Sequence, residues 1–149
     1  MRERGHLARN YKNMSYWLFK SDPDTYGFPN LQKDKRTTWD GVANPVALKN
    51  LRNCKKGDKV IIYHTGNEKA LVGLAEITKE AYPDPKQKDP KMAVVDIQVL
   101  KPLSKPVTLA EVKARTEFSD FALVRLPRLS VMPVTEAQWK LLMKMAGEK

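Results

Sequence analysis

The segment Lys56-Gly57-Asp58-Lys59-Val60-Ile61-Ile62-Tyr63-His64 constrains the fold of this chain more than any other. Lys56-Gly57-Asp58 carries turn chemistry, and the unbroken apolar run after it has the pattern of a buried strand. Thr65 to Lys69 is a polar loop with a glycine, and Ala70 to Thr78 reads as a second strand, so the two make a hairpin. Met92 to Leu100 alternates cleanly, with Val95, Ile97 and Val99 on one face and Asp96 and Gln98 on the other. An aromatic run, Tyr16 to Lys20, predicts a first strand ended by a turn at Ser21-Asp22-Pro23-Asp24, and Arg128 to Val134 predicts a last one.

Helices fall between these strands. Phe28 to Asp34 is a short candidate. Asn44-Pro45 opens a second, with asparagine as N-cap and proline at the first helical position, and Ala47, Leu48 and Leu51 supply its apolar face. Thr108 and Glu111, then Thr135 and Gln138, have capping-box spacing. Trp139, Leu142, Met143 and Ala146 give the last helix its stripe, closed by Gly147. Strands that do not alternate regularly with long helices argue against a parallel α/β sheet. The expected class is α+β: a twisted, largely antiparallel sheet closing into a small barrel, with short inserted helices and a C-terminal helix.

A chain of 149 residues fits one domain. Residues 1–13 are polar and lack apolar periodicity, so they are expected to be a disordered basic extension, with the folded domain spanning 14–149. No apolar run approaches the ~20 residues of a membrane helix, and no secretory signal is evident, so no membrane partner is expected. Cys54 is the single cysteine, which excludes an internal disulfide and fits a reducing, cytoplasmic setting. The formal net charge is +10, of which the N-terminal residues carry +3 and the remainder +7. That excess favours an anionic partner, and nucleic acid is the commonest for a protein of this size. A monomer is expected.

The chain is poor in catalytic parts. His6 and His64 are the only histidines, and His6 lies in the N-terminal tail. The seven glycines form no phosphate-binding loop. A Cys54–His64 nucleophile pair is weak, because Cys54 ends a helix whose apolar face buries it. The histidines and aspartates lack metal-ligand spacing. No enzyme activity, metal or cofactor is expected.

Binding parts are better supplied. Trp17 and Trp139 sit in patterns that assign them to the core. Trp39 lies between Lys35-Arg36-Thr37-Thr38 and Asp40-Gly41, outside any helical stripe. The residues alone leave it open between core filler and a stacking platform for a base. Tyr63 and His64 stand where a buried strand meets a loop, and His64 is either a hydrogen-bonded strand end or a group that reads a base edge. Lys20, Ser21 and Asp22 bring a donor, a hydroxyl and a carboxylate to one strand end, as a polar rim or simply a turn. Arg125, Arg128 and Lys101 are candidate phosphate contacts.

Taken together, W-L-F-K-S-D-P (Trp17 to Pro23), W-D-G-V (Trp39 to Val42), K-G-D-K-V-I-I-Y-H-T (Lys56 to Thr65), G-L-A-E-I (Gly73 to Ile77), E-A-Y-P-D-P (Glu80 to Pro85) and L-V-R-L-P-R-L-S-V-M-P-V (Leu123 to Val134) resemble the EVE domain in that order from Tyr16 to Gly147. The resemblance implies a PUA-like fold, related to the YTH and ASCH modules, with a pocket at the barrel mouth for a modified cytosine or related base in DNA or RNA. In YTH readers a lysine-serine pair closes the first strand and a downstream tryptophan stacks on the methylated base; Lys20-Ser21 and Trp39 hold the matching positions. By the same resemblance Asp22, Asp40, His64 and Ser130 line or border the pocket. One departure bears on the ligand. Many EVE sequences follow W-D-G-V with arginine, asparagine and an aromatic, where this chain has Ala43-Asn44-Pro45. A guanidinium and a second possible stacking face are thereby absent from the pocket entrance.

Overall fold

The computed structural model describes residues 14–148. The expectation for residues 1–13 lies outside them. Six strands, β1 (Tyr16–Ser21), β2 (Arg36–Trp39), β3 (Lys59–His64), β4 (Ala70–Pro83), β5 (Ala93–Thr108) and β6 (Val131–Val134), form one sheet in the order β2-β5-β4-β3-β1-β6. Six short helices intervene: α1 (Pro23–Tyr26), α2 (Phe28–Asp34), α3 (Pro45–Asn53), α4 (Leu109–Lys113), α5 (Ala122–Arg125) and α6 (Glu136–Met145). Among the described residues no helix is long and apolar enough to cross a membrane.

The sheet is mixed and does not close. β1 and β3 run parallel, from Tyr16 beside Lys59 to Ser21 beside His64, because the chain between them crosses over through α1, α2, β2 and α3. The other four pairings are antiparallel, including the anticipated β3–β4 hairpin. The ladder ends at β2 and β6 instead of sealing a barrel. It is nevertheless curled. The long β4–β5 pair shifts register at four places, and each such irregularity bends the strands and adds twist. Edge strand β2 thereby swings round until Trp39 lies 5.5 Å, centroid to centroid, from Phe19 on β1.

Local chemistry explains the helices. The Asn44 carboxamide oxygen accepts from the Val46 and Ala47 amides at 2.9 and 3.0 Å, and α3 buries Ala47, Leu48 and Leu51. Asn50 then donates to the Val131 carbonyl at 2.8 Å, fixing α3 against β6. Both expected capping boxes form, Thr108 with Glu111 and Thr135 with Gln138. Gly147, at φ +77°, closes α6: its amide bonds to the Lys144 carbonyl and the Glu148 amide to that of Met143. Other segments depart from expectation: β2 was not anticipated, and β4 runs on to Pro83 past Thr78. The turn after β1 is the one-turn helix α1, capped by Asp22 with Pro23 at its start. β5 continues past Leu100 through Pro102 and Pro106, which is possible because only Val95 to Gln98 of β5 pair with β2, leaving the later residues an open edge.

Buried polar groups are tied into the core. Asp58, 3% exposed, accepts from the Trp17 indole at 2.9 Å and from the Ser15 and Lys55 amides. Trp139 stacks on Tyr16 at 4.5 Å, so both Trp17 and Trp139 serve packing, as expected. Cys54 is fully buried, and that burial pushes its thiol far above the usual range.

Lys101 is not a free phosphate contact. It pairs with Glu148, whose other oxygen accepts from the Ser104 amide at 2.7 Å and its hydroxyl at 2.8 Å. The Lys101 bond, followed by those from Ser104, lowers the Glu148 carboxyl from its usual 4.5 to about 2. A depressed carboxyl stabilises the fold when ionised, so the clamp contributes fully above about pH 4.5. The destabilisation caused by Glu148→Gln should accordingly be constant above that pH and fade as the pH falls through about 2, in denaturant titrations across the acid range.

Candidate functional site

A cavity of about 750 Å³ opens at the end of β1, between the curled edge β2 and helix α1. Its size lies within the ~300–1,000 Å³ typical of small-ligand sites. Lys20, Ser21 and Asp22 line it from β1 and the residue after, Trp39 and Asp40 from β2 and the residue after, and Ser130 from the residue before β6. Six of the eight base-binding candidates named from the sequence therefore meet in one place.

Trp39 is a core residue that also reaches the cavity wall. It belongs to the hydrophobic core and is only 8% exposed, packed against Phe19 on one side and meeting the Tyr26 ring edge-on at 6.5 Å. It also forms part of the cavity wall. Gly41, at φ +77°, turns the chain behind it so that Asp40 stays at the rim while Val42 is buried. Asp40 is held by Lys86 at 2.8 Å, which brings the loop between β4 and β5 to the cavity edge and raises the Lys86 ammonium.

Ser21 is the most telling group. Its side chain is buried, it lines the cavity, and its Oγ makes no hydrogen bond. Buried hydroxyls almost always find a partner, so this one has hydrogen-bonding capacity that no other protein group takes up. Lys20 beside it is half-buried, and burial lowers its ammonium from the ordinary value. Its Nζ donates to the Pro127 carbonyl at 2.7 Å and lies 5.7 Å from the centre of the Tyr63 ring. Asp22 divides its carboxylate between roles: Oδ1 caps α1 at the Asp24 amide, 2.9 Å away, while the residue borders the cavity.

Tyr63 and His64 do not line the cavity. Tyr63 is buried beneath Lys20, and burial raises its phenol. His64 uses both ring nitrogens inside the protein. The Phe28 amide donates to Nε2 at 2.9 Å, which leaves Nδ1 to carry the proton toward Glu68 Oε1 at 2.7 Å. That imidazole pins the start of α2 to the end of β3.

Arg125 and Arg128 are exposed and lie outside the cavity, around an adjoining depression of about 350 Å³. Tyr26, Thr37, Thr38 and Lys86 also line the cavity but were not singled out from the sequence. Only Tyr26 had a usable signal, since Asp22-Pro23 is a helix start that would have brought it back over Trp39. Among the described residues no group of three or more His, Cys, Asp and Glu side chains could hold a metal ion.

A curled mixed sheet with a cavity at the end of β1, lined by Tyr26, Trp39 and polar side chains, has the architecture of the PUA-like class. Residues 15–145 match the EVE domain, and the chain belongs to that family. It is 31% identical to thymocyte nuclear protein 1 of Rattus norvegicus over 169 residues, covering 90% of this chain and 75% of that protein. Among solved structures it resembles the Rpa0253 protein of Rhodopseudomonas palustris (TM-score 0.85, 43% identity, 90% of this chain and 94% of that one). It likewise resembles the human THYN1 protein in complex with 5-methylcytosine containing DNA (TM-score 0.83, 28% identity, 91% and 99%). The ASCH protein of Zymomonas mobilis shares the fold at TM-score 0.56 and 10% identity, covering 87% and 94%.

Proposed function

We propose that this chain is a monomeric, non-catalytic reader of a modified base, with 5-methylcytosine in DNA as the leading ligand. The observation that carries this reading is the unpartnered, buried Ser21 hydroxyl in a cavity walled by Trp39 and Tyr26. A flat heterocycle entering there meets apolar ring surface on one side, and the Ser21 hydroxyl and Lys20 supply polar contacts to its edge. A methyl group adds apolar area that favours this wall over water. The DNA complex of the human relative supports the ligand class, and the net charge of +10 supports a polyanionic partner. Arg125 and Arg128 stand beside the cavity as its phosphate contacts. A base reaches such a cavity only after leaving the stack, at a cost of a few kcal/mol that the cavity must offset.

Ser21→Ala separates binding from folding. The hydroxyl bonds no other protein group, so its removal should not destabilise the fold. Removing the hydrogen bond to the bound base should weaken the modified oligonucleotide by ~0.5–1.5 kcal/mol. Thermal melts and fluorescence anisotropy on the same preparations would check both; unchanged affinity in the folded variant would contradict the assignment of Ser21.

A further inference from the structure

The depression beside the cavity combines features that phosphate contacts alone do not require. Leu126 is 51% exposed and Val46 53%, and both line it together with Arg125, Pro127 and Arg128. We propose that Leu126 and Val46, half exposed on the rim of this depression, form an apolar contact that packs against the bases left exposed in a DNA duplex when one base is turned into the cavity. The proposal rests on the modified-base reading and extends it to the stack the base leaves behind.

Three observations carry it. First, the Leu126 side of the rim is tied down. Leu126 to Leu129 is a tight turn with Pro127 at its second position, closed by the Leu129 amide on the Leu126 carbonyl at 3.0 Å. The Leu126 amide is itself held by the Ala122 carbonyl at 2.7 Å, and Leu129 is buried. Second, this turn and the cavity are joined. Lys20, a cavity residue, donates to the Pro127 carbonyl at 2.7 Å, and Ser130, the residue after the turn, lines the cavity. A base in the cavity and a duplex on the rim are therefore held in fixed relation. Third, the chemistry is graded as a duplex is. Two arginines accompany the apolar rim residues, matching a partner with phosphates outside and an apolar stack within. An apolar side chain set against an opened base step is a general device for stabilising unstacked DNA.

The test uses Leu126→Ser and Val46→Ser in the full chain, with folding checked by thermal melting; both side chains are largely exposed, so the variants should fold. Binding is compared for a duplex carrying one 5-methylcytosine and for the modified single strand alone. The expected result for Leu126→Ser is about tenfold weaker duplex binding, ~1.4 kcal/mol, with the single strand changed less than about twofold because it has no opened stack to cover. Val46→Ser should follow the same pattern, and Leu126→Met should restore duplex affinity. If wild-type protein prefers 5-methylcytosine but Leu126→Ser binds duplex as tightly as wild type, or weakens duplex and single strand equally, the rim contact is wrong and the cavity reading stands. A wild-type protein without that preference overturns both.

Discussion

Trp39→Ala should lower the unfolding free energy by about 3–5 kcal/mol, the usual cost of emptying a buried tryptophan site. The indole is 8% exposed and holds the curled edge of the sheet together, touching Phe19 from β1 and Tyr26 from α1. Without it, β2 keeps its four-residue pairing with β5 but loses the contact that brings it over β1. For a domain whose total stability lies within about 5–15 kcal/mol, that loss should be visible as a large fall in the urea midpoint. A change under about 1 kcal/mol would mean that Trp39 behaves as a surface residue and is not the core contact described. Because alanine affects folding and cavity together, Trp39→Phe is the variant to use for binding: it keeps a ring against Phe19 and narrows the wall of the site.

The second large effect is expected at Gly73. A Cβ built there would lie 2.2 Å from the Phe28 ring, which is itself buried at 3% exposure. Phe28 has no free space to retreat into: its amide is fixed by His64 Nε2, and its ring packs within the core. Gly73→Ala should cost about 3 kcal/mol, the upper end of the usual overpacking range, and should disturb α2 and His64 together. Denaturant titration gives the energy, and the His64 ring resonances in an NMR spectrum report the local shift. Gly73→Ala with wild-type stability and unmoved His64 resonances would contradict the packing of α2 on β4.

Much of this fold was legible because its determinants are local. Asn44-Pro45, Thr108-Glu111, Thr135-Gln138 and Gly147 cap their helices through neighbours a few residues away, and the Val95-Ile97-Val99 alternation needs no partner to be read. β2 escaped because Arg36-Thr37-Thr38-Trp39 is a strand only through its pairing with residues 95–98. The end of β4 likewise forms by pairing with the start of β5, and the end of β5 with the start of β4, across register shifts that no single stretch encodes.

The site divides in the same way. Lys20, Ser21 and Asp22 share a strand end, and the family resemblance aligned Trp39, Asp40 and Ser130 with them; the curled sheet brings all six to one cavity. Of the two readings of His64, the hydrogen-bonded strand end is the one found, with the Phe28 amide and Glu68 as partners, and the packing of α2 over β3 supplies the Phe28 amide. Lys101 looked like a surface charge until the end of α6 delivered Glu148 to it. Lys86 reaches Asp40 across a loop whose sequence signals only irregularity.

The central claim is that the cavity bounded by Ser21 and Trp39 distinguishes a modified base from its parent. It is tested most directly by titrating wild-type protein with two duplexes identical except for one 5-methylcytosine or cytosine, at a fixed salt concentration. Discrimination of at least about fivefold, ~1 kcal/mol, in favour of the methylated duplex is predicted, since an added methyl buried against the aromatic wall is worth roughly that much. Equal affinity for both duplexes, falling together with rising salt, would leave only phosphate binding and would contradict the account.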